Sequence, residues 1–341
     1  MVVEAQQTMV LKGGVSATPV NPDLNFRLRL DIAGANIRIA DKLITDEETG
    51  RFYVDRESGL DMDFEIVKTA DNLPNDSTIT IWNLSDDTYL NIVQNGTALE
   101  LYAAWSKDEY ALMFRGYPSS TVKKSKDSKR TSSQGFLKQD ANAGRKGQND
   151  IPTVLTCIDG KAEYEEATIN KEFKNGVSTN TVIDELIQTF GIPVGYRDEL
   201  EDQPIEDVMY DNYTARGKTV THLNNFAVLL DFNWSITNGV FYLYTNEKPE
   251  QPYGIKLNSE NSSSPERQNE QFTVKNKKTG KTEIKNLYMV RTKLLPWLNP
   301  GTYCSCDFGA KLQGVKYIFK VKHKGNNYGT VAESEVYIVD V

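Results

Sequence analysis

The chain carries two histidines, His222 and His323, and three cysteines, Cys157, Cys304 and Cys306. These are the residue types that serve as nucleophile, general base or metal ligand. His222 falls inside a helical pattern with no carboxylate nearby in sequence, and His323 stands beside a turn signal. Neither completes a nucleophile triad or a zinc site, so both read as core or surface histidines. Cys304 and Cys306, two apart in a strand, point to one face and could share a metal, but no second pair stands at ligand spacing. The odd cysteine count argues against a disulfide framework, and reduced thiols fit a chain assembled in the cytosol. Asp61 and Asp63 also share one strand face. A glycosidase needs only two carboxylates at the right separation, yet acidic strand faces are common without catalysis. No P-loop or GxGxxG stretch occurs. The expectation is a chain with no catalytic residue, no cofactor and no metal.

Composition narrows the class. The 341 residues suffice for two to four domains with real cores. With 39% hydrophobic residues, 25% charged, 17 Tyr and 13 Phe, the chain reads as globular and β-rich. A net charge of −8 argues against a general or sequence-specific nucleic-acid binder. No run approaches the ~18 apolar residues of a membrane span, and Met1–Gln7 lacks the basic flank and apolar core of a signal peptide.

The element that orders the rest is Ser77–Ser85. Ile79 and Ile81 alternate with Thr78, Thr80 and Trp82 as in a strand. Asn83 breaks the alternation. Ser85 is placed to cap a short helix that opens with Asp86 and Asp87 and runs to about Val93, and Leu84 should anchor that helix on the sheet. Upstream, Leu60, Met62, Phe64 and Ile66 alternate with Asp61, Asp63 and Glu65, a strand with one buried and one acidic face. Leu73–Asp76 supplies the turn between the two strands. Ala98–Trp105 and Leu112–Tyr117 add two more.

Phe64-x-Ile66-x-Lys68, Pro74-Asn75, Ile79-x-Ile81-Trp82-Asn83-Leu84-Ser85 and Phe114-Arg115-Gly116, in that order, resemble the first domain of phage tail baseplate hub proteins of the Mu-like, contractile-tail type. The resemblance runs more weakly over residues 24–340. It implies a structural protein of the virion tail baseplate, assembled in the host cytoplasm. It further implies a homotrimeric ring that joins the tail tube, or a distal tail protein, to a central spike among other baseplate proteins. Phe64, Ile79, Ile81, Trp82, Asn83, Leu84, Phe114 and Gly116 would then be a structural or interaction motif. Two other readings stay open: a tail-associated cell-wall hydrolase and a carbohydrate-binding adhesin.

The expected fold is mainly β with a small α+β module: two barrel-like antiparallel domains and a helix-helix-hairpin insertion. Residues 1–23 read as an N-terminal arm. Residues 24–160 form the first β domain, opening with the strand Phe26–Ile32 and a hairpin between Ile37 and Val54. Residues 161–257 hold the α+β module. Tyr164–Phe173 reads as continuing a sheet. Val182, Ile183, Leu186, Ile187 and Phe190 fall on one helical face that Gly191 closes. Residues 198–213 read as an acidic loop, a second helix runs from Thr219 to Leu230, and Asn238-Gly239 turns a hairpin. Residues 258–341 form the second β domain, with a polar linker at 258–265, strands from Asn286 to Leu295 and near the C-terminus, and a last turn at His323–Asn327.

Residues 123–150 hold eight basic and three acidic side chains, an excess of +5 in an acidic protein. The only large apolar residues between Lys123 and Asp150 are Phe136 and Leu137. Such a segment is either a solvated loop or an arm that orders against an acidic neighbour. Replacing residues 125–147 by a Gly-Ser bridge is expected to weaken assembly and flatten its salt dependence, since exposed charge pairs are screened beyond roughly 8 Å at physiological ionic strength. Assembly unchanged across a salt series would assign the segment as a solvated loop.

Overall fold

A computed structural model describes residues 26–32, 37–40, 42–45, 52–55, 60–95, 98–105, 110–123, 151–209, 212–245, 255–275, 282–327 and 332–340. The expected arm 1–23 and nearly all of the basic loop lie outside these residues. The fold is mainly β, as the patterning predicts. Eleven strands form one antiparallel hydrogen-bonded path in the order Glu266–Lys275, Thr282–Lys293, Ala332–Asp340, Gln313–Asn326, Met62–Thr69, Asp76–Trp82, Pro152–Ile158, Ala111–Lys123, Leu99–Trp105, Phe26–Ile32 and Ile37–Ala40. Tyr303–Asp307 branches from Gln313–Asn326 and pairs in parallel with Ile255–Asn258. The path does not close on itself among the described residues, so the two expected barrels are two folds of one open sheet.

The path folds because its long strands change partners midway. Ala111–Gly116 pairs with Leu99–Ala103, and Tyr117–Lys123 pairs with Thr153–Ile158. At the changeover stands Gly116, where a Cβ would lie 2.3 Å from the Phe114 ring and 2.9 Å from the Ile158 carbonyl. A bulge comes next, between Pro118 and Ser120, the device by which a strand bends away from one partner. Gln313–Asn326 does the same, with a bulge between Ile318 and Lys320. Its later half pairs with Met62–Thr69.

Period-2 alternation becomes core as expected. Phe26, Leu28, Leu30 and Ile32 point inward together with Met62, Phe64, Ile66, Ile79, Ile81 and Leu155. Ser85 Oγ accepts the Thr88 N–H at 3.2 Å, so it caps the helix Asp86–Asn95. Leu84 is buried in the same core. A third core gathers Leu257, Val290, Ile318, Val336 and Ile338.

Between these lies a separate core of two helices and a hairpin. Thr179–Gln188 buries Val182, Ile183, Leu186 and Ile187, with Ser178 Oγ capping the Thr181 N–H at 3.2 Å. Thr219–Leu230 buries Leu223 and Phe226 against it. Asn238 and Gly239 take φ of 57° and 72° and join Phe232–Thr237 to Val240–Thr245. Two left-handed residues give the turn whose twist matches paired strands.

Several expectations need correction. Tyr164–Phe173 does not begin as a strand. Gly160, at φ 68°, reverses the chain into a helix over Lys161–Glu166, and the strand is Thr168–Phe173. Tyr164 stacks on Trp234 with ring centroids 5.3 Å apart, which holds that helix on the second core. The acidic 198–213 loop contains a helical turn, Ile205–Met209, pinned by fully buried Ile205. The hairpin expected across Ile37–Val54 forms in its inner part, Lys42–Thr45 with Phe52–Asp55, and only Ile37–Ala40 departs from it, pairing back on the first strand. The polar stretch after the linker carries the strand Glu266–Lys275, an edge whose described side chains are mostly exposed. His323 is in a strand, not a turn, because pairing continues to Gly325 opposite Ala332.

Two substitutions test this packing. Leu84→Asp buries an unpaired carboxylate and should cost a few kcal/mol, lowering the melting temperature well below wild type. Gly116→Ala forces a methyl into the Phe114 ring and the Ile158 carbonyl and should cost about 1–3 kcal/mol. A wild-type melt for either variant would contradict the placement described.

Candidate functional site

The residues with catalytic potential are scattered and already engaged. His222 hydrogen-bonds the Tyr213 hydroxyl at 2.6 Å and the Arg216 carbonyl at 3.0 Å. Cys304 and Cys306 are buried on one face with Sγ atoms 3.7 Å apart, and Cys157 lies in the first core. The contact with Cys306, together with burial, raises the Cys304 thiol pKa well above its ordinary value. Asp63 accepts the Trp82 indole N–H at 2.7 Å. Among the described residues no group of three or more His, Cys, Asp or Glu could hold a metal ion, and no helix is long and apolar enough to cross a membrane.

The motif residues gather in and around one layer. Phe64, Ile79, Ile81 and Phe114 lie in the first core. Trp82 is 6% exposed and covers the strand end through its bond to Asp63. Asn83 adopts φ 59°, and its side-chain oxygen accepts the Ile151 N–H at 3.0 Å while its own N–H reaches the Ile151 carbonyl. An asparagine suits this position because it tolerates the left-handed region and mimics a backbone acceptor.

A second cluster lies outside the residues that the motifs single out. It is a polar joint where the three cores meet. Lys68 is 1% exposed and donates from Nζ to Asn299 Oδ1 at 2.8 Å. Asp159 is 2% exposed, and its Oδ2 accepts the Asn238 N–H of the hairpin turn at 2.8 Å. Asn238 Oδ1 in turn accepts the Arg115 N–H at 3.1 Å. His323 is fully buried between Ser334 Oγ at 2.8 Å and the Leu298 carbonyl at 3.3 Å. The carbonyl can only accept, so Nε2 carries the proton and Nδ1 accepts from Ser334. Burial raises the Asp159 pKa to about 7 and lowers that of Lys68 to about 7. Burial, then the nearby Lys68 charge, pushes His323 well below its ordinary range.

Aromatic rings seal the joint. Tyr244 lies over Gly301, where a Cβ would come within 2.0 Å of its ring. Its hydroxyl meets Ser235 Oγ at 3.3 Å and the Pro300 carbonyl at 3.4 Å. Tyr303 and Tyr317 pack edge to face at 5.3 Å beside it. Asn224 accepts from Asn72 at 2.7 Å and from the Trp234 indole at 3.0 Å, tying the second helix to the sheet. Lys68, Asp159 and His323 are all buried among the described residues. The chemistry of the joint is that of a fastening. One signal for it is present in the sequence: Lys68 is in phase with the inward-pointing Met62, Phe64 and Ile66.

No protein-family model matches the sequence, and no curated protein matches it either. Solved structures do match. The 43 kDa tail protein of prophage MuSo2 from Shewanella oneidensis superposes with a TM-score of 0.53 at 11% identity, over 92% of this chain and 97% of that one. A tail protein from Neisseria meningitidis gives 0.50 at 10% identity, over 93% and 97%. Over nine-tenths of its length, therefore, this chain has the fold of phage-type tail proteins.

Proposed function

We propose that the chain is the structural hub of a phage-type tail baseplate. In this reading three copies form a ring that joins the tail tube, or a distal tail protein, to a central spike, and leave an axial channel for tape measure and DNA. The work is adaptor work: burying complementary surface without turning over a substrate. The observation that carries the reading is the likeness to tail proteins across nearly their whole length, not over one module. The open sheet path supports it, since among the described residues its terminal strands Glu266–Lys275 and Ile37–Ala40 each have one unpaired edge that a neighbouring chain can cover. In the same reading the chain divides into an arm at 1–23, β domains at 24–160 and 258–341, and an α+β module at 161–257. The motif around Trp82 and Asn83 shapes the first domain, and the particle assembles in the host cytoplasm into the virion tail.

Native mass measurement of the purified chain and of assembled particles tests this. The expected species is three times the 38.4 kDa chain, alone or in the particle. A strictly monomeric chain in both settings would overturn it. Clearing on cell-wall zymograms that depends on a single carboxylate would favour a hydrolase, and selective glycan-array binding an adhesin.

A further inference from the structure

The α+β unit around the second core meets the rest of the chain through the joint, and the joint is unusual in what it buries. Lys68 has the neutral Asn299 as its hydrogen-bond partner. Asp159 takes backbone N–H groups of the hairpin turn, from Asn238 at 2.8 Å and from Gly239, while its Oδ1 has no hydrogen-bond partner among the described groups. Two ionisable groups of opposite sign are thus buried in one neighbourhood, each with neutral hydrogen-bond partners. Coulombic attraction offsets desolvation only when contact is close and the remaining hydrogen-bonding capacity is filled. Here neither condition is met.

The other ionisable groups do not repair this. Asp159 faces Glu163 and Tyr164 from the Lys161–Glu166 helix and Tyr242 from the hairpin. Glu163 repels it, and Asp71 lies close enough to act on Tyr164. On the other side Lys68 faces His323, which stays neutral. The Arg115 side chain packs on Gly239 but is drawn to Glu100 at 3.7 Å. By contrast the first and third cores share a continuous hydrogen-bonded ladder through Met62–Thr69 and Gln313–Asn326.

We propose that this joint is built to yield: with Lys68 and Asp159 both buried and no direct ion pair between them, the seat of the Phe232–Thr245 hairpin is weak, and the α+β unit can swing off the sheet as a body. Such a device lets the unit re-seat when the chain meets a neighbour, at small cost to the rest of the fold. It concerns the isolated chain and does not depend on the tail assignment.

The pH dependence has a definite sign. Burial favours protonated Asp159, so its stabilising effect is present at acid pH and lost as pH rises through its folded pKa. Burial disfavours charged Lys68, so its penalty is relieved as pH rises above its folded pKa. Closure is therefore weakest near neutrality and tightens on both sides.

Native-state hydrogen exchange on the full chain between about pH 5 and pH 9 reads this directly. After correction for intrinsic rates, the Asn238 and Arg115 amides, whose hydrogen bonds cross the joint, are expected to open at least about tenfold more often than the amides of Asp76–Trp82 at neutral pH, and the excess should shrink towards either end. Asp159→Asn, which keeps an acceptor for Asn238, should abolish the acid arm, and Lys68→Met the alkaline arm. The double variant should close the joint and flatten the profile. Crossing amides at Asn238 and Arg115 that exchange only with global unfolding, or an excess that is flat or monotonic with pH, would overturn the proposal. If a variant fails to fold, the wild-type profile alone decides by the same criterion.

Discussion

The constraint on which the structure depends is that two long strands must each serve two partners. Ala111–Lys123 and Gln313–Asn326 leave one neighbour and take another partway along. Every backbone donor and acceptor on the inner side must stay paired through the change. Gly116 removes the Cβ that would strike Phe114 and Ile158, and the bulges near Pro118 and Ile318 absorb the odd residue. With those local solutions the eleven-strand path folds over two apolar cores without breaking its ladder. A flat sheet of this length could not bury both.

The α+β unit obeys a different logic. Its core is built locally, from two capped helices and a hairpin whose turn needs two left-handed residues in succession. It then attaches through side chains: Asn224, the hairpin turn at Asn238 and the Tyr244 ring. The attachment is polar because the turn presents backbone N–H groups, which need an acceptor wherever they are covered. Asp159 answers that need, and the nearby Lys68 makes no direct ion pair with it, donating to Asn299 instead.

Much of the fold is legible in the sequence, and the reasons are specific. Strands such as Phe26–Ile32 and Met62–Thr69 alternate because one face is buried and the other meets water. Asn238-Gly239 is legible because few residues other than Asn and Gly tolerate that turn. Glu266–Lys275 is not, since its described side chains are mostly exposed and no buried face imposes alternation on them. The helix at Lys161–Glu166 escapes pattern reading because tertiary contact decides it: its Tyr164 rests on Trp234, seventy residues on in the chain. The joint is hidden for a related reason. Lys68, Asp159, Asn299 and His323 are far apart in sequence, and pattern reading assigns a lone lysine to solvent. The phase of Lys68 with Ile66 points inward, but only the fold shows what it meets.

These two modes of attachment separate the stiff part of the molecule from the adjustable part. Between the first and third cores the connection is a strand pair, Met62–Thr69 with Gln313–Asn326, fixed at seven successive positions from Lys320 opposite Thr69 to Asn326 opposite Asp63. Sliding that pair by one residue would turn every inward side chain outward, so it moves as one body or not at all. The hairpin of the second core has no register with the sheet it sits on. Its contacts are a few hydrogen bonds and ring faces, and these tolerate a change of angle that a ladder does not. Any rearrangement of the chain against a neighbour should therefore leave the sheet intact and be taken up at Lys68, Asp159 and Asn238.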